Sequence, residues 1–223
     1  MEKLLHGRMM HNYDGIIFDV DGTLTSTNDL IFESFRFVSQ KYLNKNLSNE
    51  EITKLFGPTE DVILKEWGGN KYQAIKEDYY NYYTNNHHMA ALFPGIKEIL
   101  EFIKSRSIPL AIFTGKGREA ATITLKKLYA YDFFDLIITG DDVAEHKPSA
   151  EGIIKFLEKF NLIKERVLMI GDSPSDIIAA RSAGVKIASV VWDNYVKKEV
   201  IQLGSDYIFY EVHELKEFLE NNI

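Results

Sequence analysis

The chain has 223 residues, 45% of them hydrophobic, and a formal net charge of −7. That suits one large domain or one domain carrying an insertion, and it leaves no basic surface for a nucleic-acid backbone. There is no cysteine, so disulfides, thiolate catalysis and thiolate metal sites are excluded. No apolar run approaches the roughly 20 residues needed to cross a bilayer. Residues 1–12 are polar, without the apolar stretch of a signal peptide. The expectation is a cytoplasmic protein, monomer or homodimer, that binds neither membrane nor nucleic acid.

In chain order, the apolar run Ile16-Ile17-Phe18 reads as a strand, and it ends in Asp19-Val20-Asp21-Gly22-Thr23. A long helical stretch follows. Ile31, Phe35, Val38 and Tyr42 share one face at the helical period. Ser48 and Glu51 form a capping box for a next helix, which Gly57-Pro58 should end. Thr59 opens a third helix, stopped at Gly68-Gly69, and a Tyr-rich fourth spans 71–86. Its tyrosines, Tyr72, Tyr79, Tyr80 and Tyr83, read as core or as a dimer surface. From Pro94 onward helices alternate with strands expected over 110–113, 136–139, 167–170, 187–191 and 207–209. Alternation of this kind implies an α/β fold, a parallel sheet covered on both faces. The helices of 25–90 interrupt it after the first strand. They read as an inserted all-helical cap domain, with 1–24 and 91–223 forming a Rossmann-like three-layer core.

This layout gives the polar residues one address. Asp19, Thr114 and Asp172 each follow an apolar strand run, and ligands of open parallel sheets bind at the carboxyl ends of the strands. Asp19 and Asp21 are expected to point differently and divide the work. A carboxylate can attack phosphorus as a covalent nucleophile, and the phosphoryl charge then needs neutralising. Mg²⁺ prefers oxygen ligands. Asp19 and Asp172 would supply two carboxylates, and the backbone carbonyl near Asp21 a third oxygen. Thr114-Gly115-Lys116-Gly117 is a glycine-rich loop whose hydroxyl and N–H groups can cup a phosphate. Lys147 can pair with both nucleophile and phosphate. Asp176 favours the start of the next helix, or holds Lys147 or a metal-bound water. Each has a plainer reading. Asp-x-Asp-Gly alone is a turn, Thr114 a helix cap, and a lone lysine a surface group. Lys116 and Arg118 read as solvent residues, with an anionic substrate within reach as the alternative. His146 is the first histidine to consider for a role, the plainer one being to shape its loop; adjacent His87 and His88 make a poor zinc site.

Asp19-Val20-Asp21-Gly22-Thr23-Leu24, Thr114, Lys147 and Gly171-Asp172-Ser173-Pro174-Ser175-Asp176 together resemble the four motifs of the haloacid dehalogenase-like hydrolases. The resemblance spans about residues 14–218. It implies a Mg²⁺-dependent phosphatase acting on a small phosphorylated metabolite through an aspartyl-phosphate. Asp19 would be the nucleophile and Asp21 the acid/base. Thr114 and Lys147 would bind the phosphoryl group. Asp19, Asp172 and the Asp21 carbonyl would hold the metal, with Asp176, Gly115 and Ser173 in support. The similarity is nearest to the phosphoglycolate phosphatase and pyrophosphatase branch, which includes β-phosphoglucomutase. Dehalogenases proper lack the second aspartate, so Asp21 favours a phosphatase. Gly115 departs from the branch, which often has Asn there. The cap loop Phe56-Gly57-Pro58-Thr59-Glu60 resembles one that faces the active site, which brings Thr59 toward substrate, and its lack of an arginine weakens a mutase reading. A phosphomutase, a pyrophosphatase and a ligand-binding scaffold remain the alternatives.

Overall fold

Strand β1 (Gly15–Phe18) is fully buried, and its neighbours alternate in the faces they present. Ile16 and Phe18 join one apolar cluster while Ile17 joins another, because side chains in a strand alternate across the sheet. The computed structural model describes residues 12–193 and 197–223.

After β1 the chain makes a short strand, β2 (Thr25–Ser26), then helices α1 (Asn28–Leu43), α2 (Asn49–Thr53), α3 (Glu60–Gly68) and α4 (Tyr72–Asn85). It returns through β3 (Ala91–Leu92), which pairs antiparallel with β2. Departure and return are therefore side by side. Ser48 and Glu51 make the expected capping box on α2, but that helix ends at Thr53, before Gly57-Pro58. The four helices share an apolar cluster in which Phe35 lies 4.9 Å from Tyr79, centroid to centroid. Tyr79, Tyr80 and Tyr83 are buried here, so they are interior and not a dimer surface. Each buried aromatic or aliphatic side chain contributes on the order of 1.5–3 kcal/mol. The four helices thus share one apolar core.

The alternating part follows as α5 (Ile96–Ser105), β4 (Leu110–Phe113), α6 (Arg118–Lys127), β5 (Leu136–Ile138), α7 (Glu151–Phe160), β6 (Val167–Gly171), α8 (Pro174–Ala183), β7 (Lys186–Val190), α9 (Lys197–Leu203), β8 (Tyr207–Phe209) and α10 (Val212–Asn222). Among these, α9 had no sequence expectation. The sheet runs β5-β4-β1-β6-β7-β8, with every pairing parallel. Ile99, Ile103, Leu215 and Leu219 pack on one face; Ile153, Phe156 and Ile177 pack on the other. This is the three-layer α/β arrangement that the alternation implies. The helical block rests on α6: Ala120 enters its cluster, and Tyr83 Oη lies 2.7 Å from Thr124 Oγ1. Among the described residues no helix is long and apolar enough to cross a membrane.

Candidate active site

Strands β4, β1 and β6 are adjacent and parallel, so their carboxyl ends share one edge. Asp19, Thr114 and Asp172 each stand one residue past those ends. Their backbones are pinned there: Asp19 N donates to Ile170 O at 2.9 Å, and Thr114 N to Ile138 O at 3.0 Å.

Lys147 crosses to them from the loop before α7. Its Nζ lies 2.7 Å from Asp19 Oδ1 and 2.6 Å from Asp176 Oδ1, over the Phe113 ring. Burial alone would lower this ammonium, but Asp176 and Asp19 outweigh it and hold it well above the ordinary lysine range. Asp176 accepts Ser173 N at 3.1 Å and Ser173 Oγ at 2.7 Å through its other oxygen. Ser173 is the N-cap of α8 and Asp176 its third residue, in a capping box. Asp176 thus serves the helix start and Lys147 at once, as the two sequence readings allow.

Asp172 has no lysine. Thr23 Oγ1 donates to its Oδ1 at 3.2 Å. Burial, then the charges of Asp19 and Asp176, push its carboxyl well above the usual range. Burial also pushes Asp19 up to about 6, against the pull of Lys147. Carboxylate oxygens of Asp19, Asp172 and Asp176 lie within 4.8 Å of one another. Three carboxylates face one ammonium, an arrangement that an oxygen-seeking divalent cation fits. Both Asp176 oxygens already accept hydrogen bonds, whereas Asp19 and Asp172 each accept at one oxygen only. Gly22 makes the close approach possible. It has φ +78°, and a Cβ there would lie 2.2 Å from Asp172 Oδ2.

Asp21 does face elsewhere, as expected. In a regular strand residues two apart share a face, so the division arises because β1 ends at Phe18 and the chain turns at Gly22. One Asp21 oxygen accepts from Thr27 Oγ1, and the other lies 3.1 Å from Lys116 Nζ. This corrects the reading of Lys116 as a solvent residue. Its side chain is 2% exposed, lies over the Tyr83 ring and reaches Glu60 Oε1 at 3.6 Å. Burial lowers its affinity for the proton, but Asp21, Tyr83 and Glu60 hold it well above the ordinary range. An ammonium can be buried only because it has these partners. Arg118 is a surface residue as expected, paired with Asp142.

Glu60 was missed. It opens α3, where an acidic residue is sufficiently explained by the helix dipole. Its Oε2 accepts Gly117 N at 2.6 Å, a bond between distant segments that no local pattern signals. Thr59 does not line the cavity; its buried hydroxyl has no protein partner. Thr114 does not cap α6, whose N-cap is Gly117. Its Oγ1 accepts Lys116 N at 3.2 Å, so its own proton is committed to no protein acceptor. Gly115 lines the cavity. His146 Nδ1 is buried with no hydrogen-bond partner among the described residues. His87 Nε2 lies 3.3 Å from Thr124 Oγ1, a packing role.

Between these groups and α1 and α3 lies a cavity of about 200 Å³, lined by Asp19, Asp21, Thr114, Gly115, Lys116, Lys147 and Ser173 on one side and by Ile31, Phe35, Phe56, Pro58, Glu60 and Ile63 on the other. A parallel sheet whose strand ends present carboxylates and a buried lysine to one cavity is an arrangement suited to phosphoryl chemistry.

A family model for haloacid dehalogenase-like hydrolases matches residues 16–190. Pyrophosphatase PpaX of Oceanobacillus iheyensis is 33% identical over 205 residues, which cover 90% of this chain and 94% of that one. A solved structure described as a "predicted phosphoglycolate phosphatase" from Haemophilus somnus has a TM-score of 0.81 at 24% identity, covering 94% of this chain and 99% of that one. CbbY from Rhodobacter sphaeroides, in complex with phosphate, has a TM-score of 0.78 at 23% identity, covering 91% and 96%. The last two likenesses establish the fold. The chain belongs to the haloacid dehalogenase-like hydrolases. Within that family it is an enzyme of the phosphatase kind.

Proposed function

We propose that the protein is a Mg²⁺-dependent phosphatase of small phosphate monoesters that works through a phosphoryl group carried on Asp19. The observation that carries the reading is Asp19 itself: a buried carboxylate at a strand end, 2.7 Å from Lys147 and clustered with Asp172. Asp19 and Asp172, with the backbone carbonyl of Asp21, would hold the ion. Bound there, Mg²⁺ offsets the charge of the carboxylates and of the phosphoryl oxygens.

Asp19 attacks phosphorus, and the bond to the leaving oxygen breaks. Asp21 gives that oxygen a proton, then takes one from the water that attacks phosphorus and frees Asp19. Lys147 and the Thr114 hydroxyl hold phosphoryl oxygens in line. Helices α1–α4 act as a cap domain inserted at 25–90, which excludes bulk water from the site. The cavity's volume and cover favour a small metabolite over a phosphoprotein or nucleic acid. A second reading has pyrophosphate as substrate, favoured by the name of the relative from Oceanobacillus iheyensis.

Phosphate release from phenyl phosphate, with Mg²⁺ and with EDTA, tests the proposal. Turnover that needs Mg²⁺ is expected; turnover unaffected by EDTA, or none with Mg²⁺, contradicts it.

A further inference from the structure

The cavity has two ends of different character. The phosphoryl end holds Asp19, Thr114 and Lys147; the opposite end is walled by Ile31, Phe35, Phe56 and Ile63. A substrate with phosphorus beside Asp19 places its leaving group against those apolar side chains. Cations are scarce there. Among the described residues lining the cavity the only ones are Lys147 and Lys116. Lys147 is held between Asp19 and Asp176, and Lys116 between Asp21 and Glu60.

At the leaving-group end, then, two carboxylates accompany one ammonium. Protonating Asp21 for its role as acid brings that local sum only to zero. Glu60 balances the lysine's charge from 3.6 Å through Oε1, while Oε2 accepts Gly117 N. A second phosphate or a carboxylate on the leaving group would be desolvated here with no free positive partner, which is strongly unfavourable. Unpaired like charge of this kind is a standard way to reject a substrate.

We infer that the enzyme selects phosphate monoesters whose leaving group carries no negative charge, and that Glu60, by neutralising Lys116, sets that preference. The inference rests on the phosphatase reading and separates its two substrates: it disfavours pyrophosphate and esters of hydroxy acids.

The test uses esters matched in size and differing in one charge: hydroxyethyl phosphate against phosphoglycolate, and phenyl phosphate against carboxyphenyl phosphate, with pyrophosphate alongside. The wild-type enzyme with Mg²⁺ should favour the neutral member of each pair by about tenfold or more in kcat/KM. Glu60→Gln leaves Lys116 uncompensated on that side and should narrow both ratios several-fold, chiefly through a lower KM for the acidic member. Equal or reversed preference in the wild-type enzyme overturns the inference and leaves the phosphatase reading standing. So does a Glu60→Gln enzyme with unchanged ratios. No turnover of either member with Mg²⁺ overturns the phosphatase reading, and this inference with it. The wild-type comparison decides by itself if Glu60→Gln fails to fold.

Discussion

Lys147 and Asp176 meet at 2.6 Å on the floor of the site, where Asp176 has no exposed surface. The aspartate is fixed by Ser173, and the lysine is thereby aimed at Asp19. Asp176→Asn should therefore lower kcat by about 10- to 100-fold through misplacement of Lys147. It should destabilise the fold by about 3 kcal/mol, the low end for a broken buried pair, because Lys147 keeps Asp19. Steady-state kinetics and urea unfolding check both. Unchanged kcat with lost stability would reduce Asp176 to a helix cap.

Asp172 is half-buried beside two other carboxyls and, among the described residues, pairs with no cation. Saturating Mg²⁺ should raise the melting temperature, by an amount equivalent to about 2.7 kcal/mol at a hundred times the dissociation constant. Asp172→Asn should abolish that response, yet melt higher than the wild type in EDTA at pH values where Asp172 is ionised, because a carboxylate beside Asp19 and Asp176 is gone. Thermal shift with and without Mg²⁺ reads both signs. A variant that still responds fully to Mg²⁺ contradicts the assignment of Asp172.

Gly22 has φ +78° and stands against Asp172. An alanine there is strained by its backbone and collides with the carboxylate. Gly22→Ala should cost about 1–3 kcal/mol and weaken the Mg²⁺-induced thermal shift. A stable variant with a normal shift would show that the turn has room to give.

His87 packs at the end of α4, against Thr124 of α6. Burial, then the charges of Lys127 and Lys116, hold its pKa below the ordinary 6.5. The folded state therefore favours the neutral ring. That stabilisation is present above 6.5 and is lost as pH falls through the lower folded value. The raised carboxyls of Asp19 and Asp172 act in the opposite sense in both proteins, so the expected sign is in the comparison: from pH 7 to pH 5 the wild type should lose stability relative to His87→Gln. Parallel melting curves for the two proteins would remove His87 from the cause.

Much of this was legible in the sequence, for identifiable reasons. Strands β1, β4 and β6 are short continuous apolar runs, which a sheet buried on both faces requires. The polar residues directly after them had to share an edge once the sheet was parallel, so Asp19, Thr114 and Asp172 could be brought together from the sequence. What stayed hidden depends on contacts between distant segments. Lys116 looks like any loop lysine until Asp21, Tyr83 and Glu60 close around it from β1, α4 and α3. Glu60 fits its helix start so well that nothing in its neighbourhood points to Gly117. Helix α9 buries only Val200, too little apolar patterning to announce a helix.

The most direct measurement is acid-quench peptide mapping of Asp21→Asn after incubation with phenyl phosphate and Mg²⁺. Phenolate leaves without much help from an acid, whereas the following water attack lacks its base, so a phosphoryl-enzyme should accumulate. The account predicts a phosphoryl group on the peptide containing Asp19, and none when Asp19→Asn is added. Phosphate release by Asp19→Asn at near the wild-type rate, with no phosphorylated peptide in either enzyme, would contradict it.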